Sequence, residues 1–286
     1  MSPTITCAWS IAIRSSRNSP TAPIDVTHNR GNAAFRFTAG AATFALVGVL
    51  WYVTTSVTQI LPPVYFPRPA EVWQALRQIS VEGYAGGRLH EHFLHSGKLV
   101  LMGFVVAIST GVPLGMLMGG SRCAEAAVNP VFLLLRPIPP LAWIPLAIVW
   151  LGLGDAAKVL VIWFAAFVPA VINSYAGVRS IDAHLIEAAR SLGVKRTMLI
   201  REVLFPGALP LVFTGLRLAL QACWTTLVAG ELIGAIVGLG HVLYQAGLDL
   251  FPAMIVVGMA GVAIAGGMMT MALEWLESRA IPWRAP

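Results

Sequence analysis

The chain has 286 residues, 57% hydrophobic and only 11% charged, with a formal net charge of +6 and a mean hydropathy of +0.76. A soluble domain does not need so apolar a sequence to fill its core, so the composition excludes one. The cations are spread over short segments and not massed on one face, so the positive balance is a topology signal and no nucleic-acid surface is expected.

Residues 1–35 contain a short apolar stretch, Ile5 to Ile13, with Arg14 and Arg17 after it. A secretory signal has its cations first, so this segment is expected to be a mobile cytoplasmic tail. Six continuous apolar runs follow, near 38–60, 99–118, 131–153, 157–178, 209–232 and 253–275. A helix needs roughly 20 such residues to cross about 30 Å of hydrocarbon. The alternation of a β-barrel is absent, so the fold class is all-α integral membrane, with six transmembrane helices in a membrane domain of residues 36–286. With the N-terminus inside, twelve cations fall in cytoplasmic segments and five (Arg68, Arg77, Arg88, Lys98 and Lys158) outside, which places both termini in the cytoplasm. Cys7, Cys123 and Cys223 sit in a tail, a short inner loop and a span, and offer no disulfide framework.

Between the first two spans, a proline-rich start gives way to an amphipathic stretch around Val72 to Ile79, expected to lie along the outer interface. His90, Glu91, His92 and His95 lack the spacing of a zinc site and read as a wet polar segment leading into the second span. That span carries Gly111, Gly115 and Gly119 at intervals of four, a stripe that admits another helix at backbone distance.

The third span holds Pro137, Pro139, Pro140 and Pro145 around Trp143. So many prolines break the hydrogen-bond ladder, and freed carbonyls are tolerated in a bilayer only when buried in protein or lining a water-filled cavity. The segment is therefore either part of a permeation path or a kinked helix packed among neighbours. In the fifth span Arg217, Trp224 and Glu231 recur every seven residues and share nearly one face, the two charges being roughly 21 Å apart along the axis at about 1.5 Å per residue. Either this face lines the translocation path, or both charges are structural and bonded to loop backbone.

Between the fourth and fifth spans lies a charged stretch, EAARSLGVKRTMLIREVLFPGALP, from Glu187 to Pro210. Asp182 is placed to cap a short helix with Leu185, Ala189 and Leu192 on one face; Gly193 stops it, and a second helix is expected to run from Val194 to Pro206. The result is a helix-turn-helix finger outside the membrane, over residues 179–208. No phosphate loop, H-E-x-x-H motif or nucleophile with a matching histidine is present, so the chain carries no ATPase or other catalytic site of its own. A stand-alone secondary transporter predicts internal repeats and midplane carboxylates, which this sequence does not show.

The stretch from Glu187 resembles the cytoplasmic EAA motif of the membrane subunits of ATP-binding-cassette importers. Glu187, Ala188, Ala189 and Gly193 are in register, and Val203, Phe205 and Pro206 stand where that family places Ile, Leu and Pro. From about residue 60 onward, LRPIPPLAWIPLAIVWLGLG, LPLVFTGLRLAL and WTTLVAGELIGAIVGLGHV look like the permeases for taurine, alkanesulfonates and nitrate, the taurine permeases most of all. One departure is Ser96-Gly97-Lys98-Leu99, where the family commonly has Ser-Leu-x-Arg.

The resemblance implies the type I importer permease fold, also called MetI-like, in a bacterial inner membrane. It implies a pair of permease chains, expected to be two copies of this one, and a separate cytoplasmic ATPase subunit that binds the ATP. A periplasmic or lipid-anchored binding protein would deliver a small anionic solute such as taurine or another sulfonate, with nitrate or another small nutrient as the alternative. It makes Glu187, Ala188, Ala189, Gly193 and Pro206 the ATPase-coupling residues, and it leaves Pro139, Pro140, Trp143, Pro145, Arg217, Trp224 and Glu231 as candidates for the path.

Overall fold

The computed structural model describes residues 32–58, 62, 65–232 and 234–283, the side chains of 32–37 and of 196 excepted. The expected tail therefore lies outside the described residues up to position 31. Among the described residues the structure is helical, with one isolated bridge between Tyr84 and Gly87 and no strand.

The described residues divide into two compact units, one ending at Leu50 and one beginning at Trp51. In the first, helix α1 (Asn32–Tyr52) begins four residues inside the segment expected to be a tail. Its described side chains before Trp51 are all exposed, Phe44 at 84%, as those of a lipid-facing helix are.

The second unit is built on α3 (Leu89–Gly120), α6 (Asp155–Arg179) and α9 (Phe205–Glu231). Lipid tails are as apolar as leucine, so these helices associate by close packing more than by hydrophobic burial. The glycine stripe of α3 provides it. A Cβ on Gly111 would lie 3.1 Å from the Ala170 Cβ, one on Gly115 2.8 Å from the Ser174 Cβ, and one on Gly119 3.0 Å from the Tyr175 carbonyl oxygen. Between α6 and α9, Gly177 and Gly215 allow an equally near approach: a Cβ on Gly177 would lie 2.9 Å from the Ala208 carbonyl oxygen and one on Gly215 3.1 Å from the Pro169 carbonyl oxygen.

Helix α3 starts at Leu89, ten residues before the expected span, so the histidine-rich stretch is helix and not a lead-in. Its first turn is capped by Glu91, whose Oε2 accepts from the Arg88 N–H at 2.7 Å. The amphipathic stretch is α2 (Pro69–Val81), with proline in its first turn and Glu71 accepting from the Arg68 N–H at 3.0 Å.

The third apolar run is two helices, α4 (Arg122–Leu135) and α5 (Ile144–Leu151), meeting at 85°. Pro137 and Pro139 cannot donate to a helical ladder, and the chain crosses the elbow through a 3₁₀ turn at Pro140–Trp143. Five described helices are long and apolar enough to cross a membrane, or six if the bent pair counts as one span.

After α7 (Ala183–Ser191) comes a short α8 (Arg196–Leu199) and then a π-helical turn, Ile200–Leu204, that runs without a stop into α9. The second helix of the finger was expected to end at Pro206. It continues, because the widened turn re-pairs the Phe205 N–H with the Ile200 carbonyl and relieves the crowding a proline ring causes one turn back. Two further helices, α10 (Leu239–Leu248) and α11 (Pro252–Ala280), complete the unit.

Candidate functional site

Helix α7 is stopped and started with care. The Asp182 Oδ1 accepts from the His184 N–H at 2.9 Å and caps its N-terminus. At the other end the Val194 N–H reaches the Ala189 carbonyl at 3.2 Å and the Gly193 N–H the Arg190 carbonyl at 2.9 Å. This pair of bonds is a Schellman motif, and Gly193 holds its left-handed position at φ +74°. Nothing in α7 is buried by this chain: Leu185 is 60% and Leu192 84% exposed, and Glu187 and Ala188 are exposed too. The root of the finger is fixed by Ile181, which packs over Gly207, where a Cβ would come within 3.1 Å of it. Helix α7 is thus a capped helix with an exposed apolar edge at Leu185 and Leu192, and with Ile186 and Ala189 half-buried.

A buried polar cluster occupies the far end of α9, some 35 residues along the continuous span from Thr197 to Glu231. Glu231, Ser96 and His92 are all fully buried. The Glu231 carboxylate accepts from the Ser96 hydroxyl at 2.7 Å and from the Gly240 N–H at 2.7 Å. Ser96 Oγ accepts in turn from the Leu239 N–H at 2.8 Å. The His92 Nδ1 accepts from the Gly238 N–H at 2.9 Å, so its Nε2 carries the proton and donates to the Tyr84 carbonyl at 2.9 Å. The first N–H groups of α10 are thereby satisfied by side chains of α3 and α9, and a carboxylate sits at a helix N-terminus. Gly238 and Gly240 are required there: a Cβ on either would lie within 3.0 Å of the Glu231 side chain.

A sequence pattern described as "Binding-protein-dependent transport system inner membrane component" matches residues 111–279. The chain belongs to this family. The permease is 36% identical to the taurine transport system permease protein TauC of Escherichia coli (strain K12) over 86% of its own length and 90% of that protein's. It is 34% identical to the putative aliphatic sulfonates transport permease protein SsuC of the same strain, over 85% and 91%. Among solved structures, a chain of the MetNI methionine ABC transporter in an inward-facing conformation aligns with a TM-score of 0.54 and 22% identity, over 65% of this permease and 95% of that chain. That likeness is one of fold. The permease is a multi-pass inner-membrane protein of an ABC importer, a transport subunit that works with an ATPase and a solute-binding protein.

The site residues read from the permease sequence fall in three places. Glu187, Ala188, Ala189 and Gly193 are together on or at the end of α7, whereas Pro206 lies in the first turn of α9. Pro139, Pro140, Trp143 and Pro145 form the elbow; Trp143 stacks on Phe164 with ring centroids 4.1 Å apart, which pins the elbow to α6. Arg217, Trp224 and Glu231 follow α9 but have different surroundings. Arg217 pairs with Glu277 of α11, Trp224 is buried with its indole N–H unpartnered among the described residues, and Glu231 is held by the Ser96 hydroxyl of α3 and the Gly240 N–H in the first turn of α10. Gly238 and Gly240 are absent from the residues singled out in the sequence, and His92 and Ser96, named there as part of a wet stretch and of a departure from the family pattern, prove to be buried partners of the α10 N-terminus. The signal was the Gly-Leu-Gly seven residues after an intramembrane acid and ahead of an apolar helix.

Proposed function

We propose that this permease moves a small organosulfonate, taurine or a close relative, into the cytoplasm, working as a homodimer with α7 seated in a groove of a separate ATPase subunit. The observation that carries the coupling role is α7 itself: capped at both ends, rooted on α9 and exposed along most of its length, with only Ile186 and Ala189 half-buried. The small residues Ala188 and Ala189 allow close approach, and Glu187 offers an acceptor to a donor on the ATPase. The finger and both termini are taken to face the cytoplasm on the distribution of cations. ATP is bound and hydrolysed by the partner, since this chain has no phosphate loop.

The sulfonate assignment is supported by the similarity to TauC and SsuC, a taurine and an aliphatic sulfonate permease by name, whose named solutes share that head group. The test is to purify the permease with its ATPase and solute-binding protein partners and to reconstitute them in liposomes. Labelled taurine should enter only with ATP inside the cytoplasmic compartment, and longer sulfonates should compete better than nitrate. Uptake inhibited by nitrate and not by sulfonates moves the assignment to nitrate, and uptake that an ion gradient drives without ATP sinks it altogether.

A further inference from the structure

Of the fourteen residues of α4, only Phe132 is buried, wedged edge-on against Phe167 of α6 with ring centroids 6.5 Å apart. Val128 packs half-buried beside the same cluster, and a polar hold on α4 lies in its first turn. Both carboxylate oxygens of Glu125 are used there: Oε1 accepts from the Tyr175 hydroxyl and Oε2 from the Arg179 Nη2. Tyr175 and Arg179 stand four apart on α6 and so share a face, with the guanidinium 5.5 Å from the tyrosine ring centroid. Arg179 is the last residue of α6, and the Asp182 cap that starts α7 follows three residues on.

We propose that Glu125 is a positioning residue for transport, a clasp that ties α4 to the root of α7 and so carries displacement of α7 into the proline elbow at Pro137–Pro140. This rests on the coupling role given above to α7. The chemistry suits a mechanical link better than a stabilising one. The Glu125 and Arg179 side chains are 26% and 45% exposed, and an ion pair so exposed adds little to stability. Two donors on successive turns held by one planar carboxylate nonetheless fix direction as well as distance. The clasp borders an open cleft lined by Arg122, Ala126, Asn129 and Pro130, so a charge swapped there stays hydrated.

The experiment uses the complete transporter in proteoliposomes and reads solute moved per ATP hydrolysed. Glu125→Arg and Arg179→Glu are each expected to lower that ratio on the order of fivefold, and the double swap to return it to within about twofold of the parent. Glu125→Gln, which keeps its bond to Tyr175 and cannot harm insertion through charge, is expected to lower it about twofold. Parent ratios in both single reversals overturn the clasp, as does a double swap that binds the ATPase normally and recovers nothing. Glu187→Ala run in parallel separates the two ideas. If it uncouples while the Glu125 variants do not, the clasp alone fails; if it changes nothing, the coupling role of α7 fails and takes the clasp with it.

Discussion

Gly193 shows how one residue connects backbone physics to coupling. At φ +74° an L side chain is strained, yet a Cβ there would meet nothing within 4 Å in this chain. Gly193→Ala should therefore cost only about 1 to 2 kcal/mol of local backbone energy and leave expression and melting temperature nearly unchanged. Its effect should appear as weaker retention of the ATPase subunit on an affinity column, with Gly193→Asn intermediate because asparagine tolerates the left-handed region. Equal retention by all three proteins would show that the turn is not part of the contact. Glu231 behaves in the opposite way, since all of its bonds are internal. Glu231→Ala leaves the Gly240 N–H and the Ser96 hydroxyl buried without their acceptor and should destabilise the protein by about 3 to 5 kcal/mol, whereas Glu231→Gln keeps one acceptor oxygen and should cost about 1 to 3; thermal unfolding in detergent measures both. Tyr84 offers a test by pH. Burial first, and then its 2.5 Å hydrogen bond to Asp249, hold its phenol above the ordinary tyrosine range. Because the folded state favours the protonated form, this contribution is complete below about pH 10 and is lost as pH rises through the elevated value. Alkaline absorbance titrations of the parent and of Asp249→Asn should differ by one tyrosine, which ionises at lower pH in the variant.

At the scale of elements, small residues decide the spacing of the bundle. Gly115→Ala would push a methyl into Ser174, and α3 and α6 would have to part, at a cost of about 1 to 3 kcal/mol; Gly97→Ala on the same helix faces open space and should be neutral. A melting series that ranks the two alike would contradict the packing described. The glycine stripe, the proline break and the caps of α7 were legible in the sequence because each depends on one or two residue types with a local conformational effect. Two features were not. The first turns of α3 look polar and wet, since His92 and Ser96 find their partners 146 and 143 residues away, at Gly238 and Leu239, and sequence periodicity is blind to such pairs. The helix through Pro206 was equally hidden, because a π turn shifts the pairing by one residue and leaves no compositional mark. Arg217, Trp224 and Glu231 do share a face as their spacing requires, but spacing says nothing of what covers that face, and the three have three different environments.

At the scale of the molecule, α9 joins the uncovered finger to the buried carboxylate cluster, so whichever side of the membrane holds α7 also decides where α10 faces. The chain supplies its own reporters for this. Cys123 is exposed at the start of α4, beside the clasp and on the same end as the finger, while Cys223 is buried. Leu250, in the turn between α10 and α11, is 81% exposed at the opposite end. In a Cys7→Ser background a membrane-impermeant maleimide should label Cys123 in inside-out vesicles and spare it in intact cells with a permeable outer membrane. Adding Leu250→Cys in a Cys7→Ser, Cys123→Ser background should reverse the pattern. Labelling of Cys123 from the periplasm would invert the topology drawn from the cations, and α7 could then no longer meet a cytoplasmic ATPase. Labelling from both sides would indicate a mixed insertion, in which the roughly twofold bias of cations between the two sets of segments is too weak to orient this chain by itself.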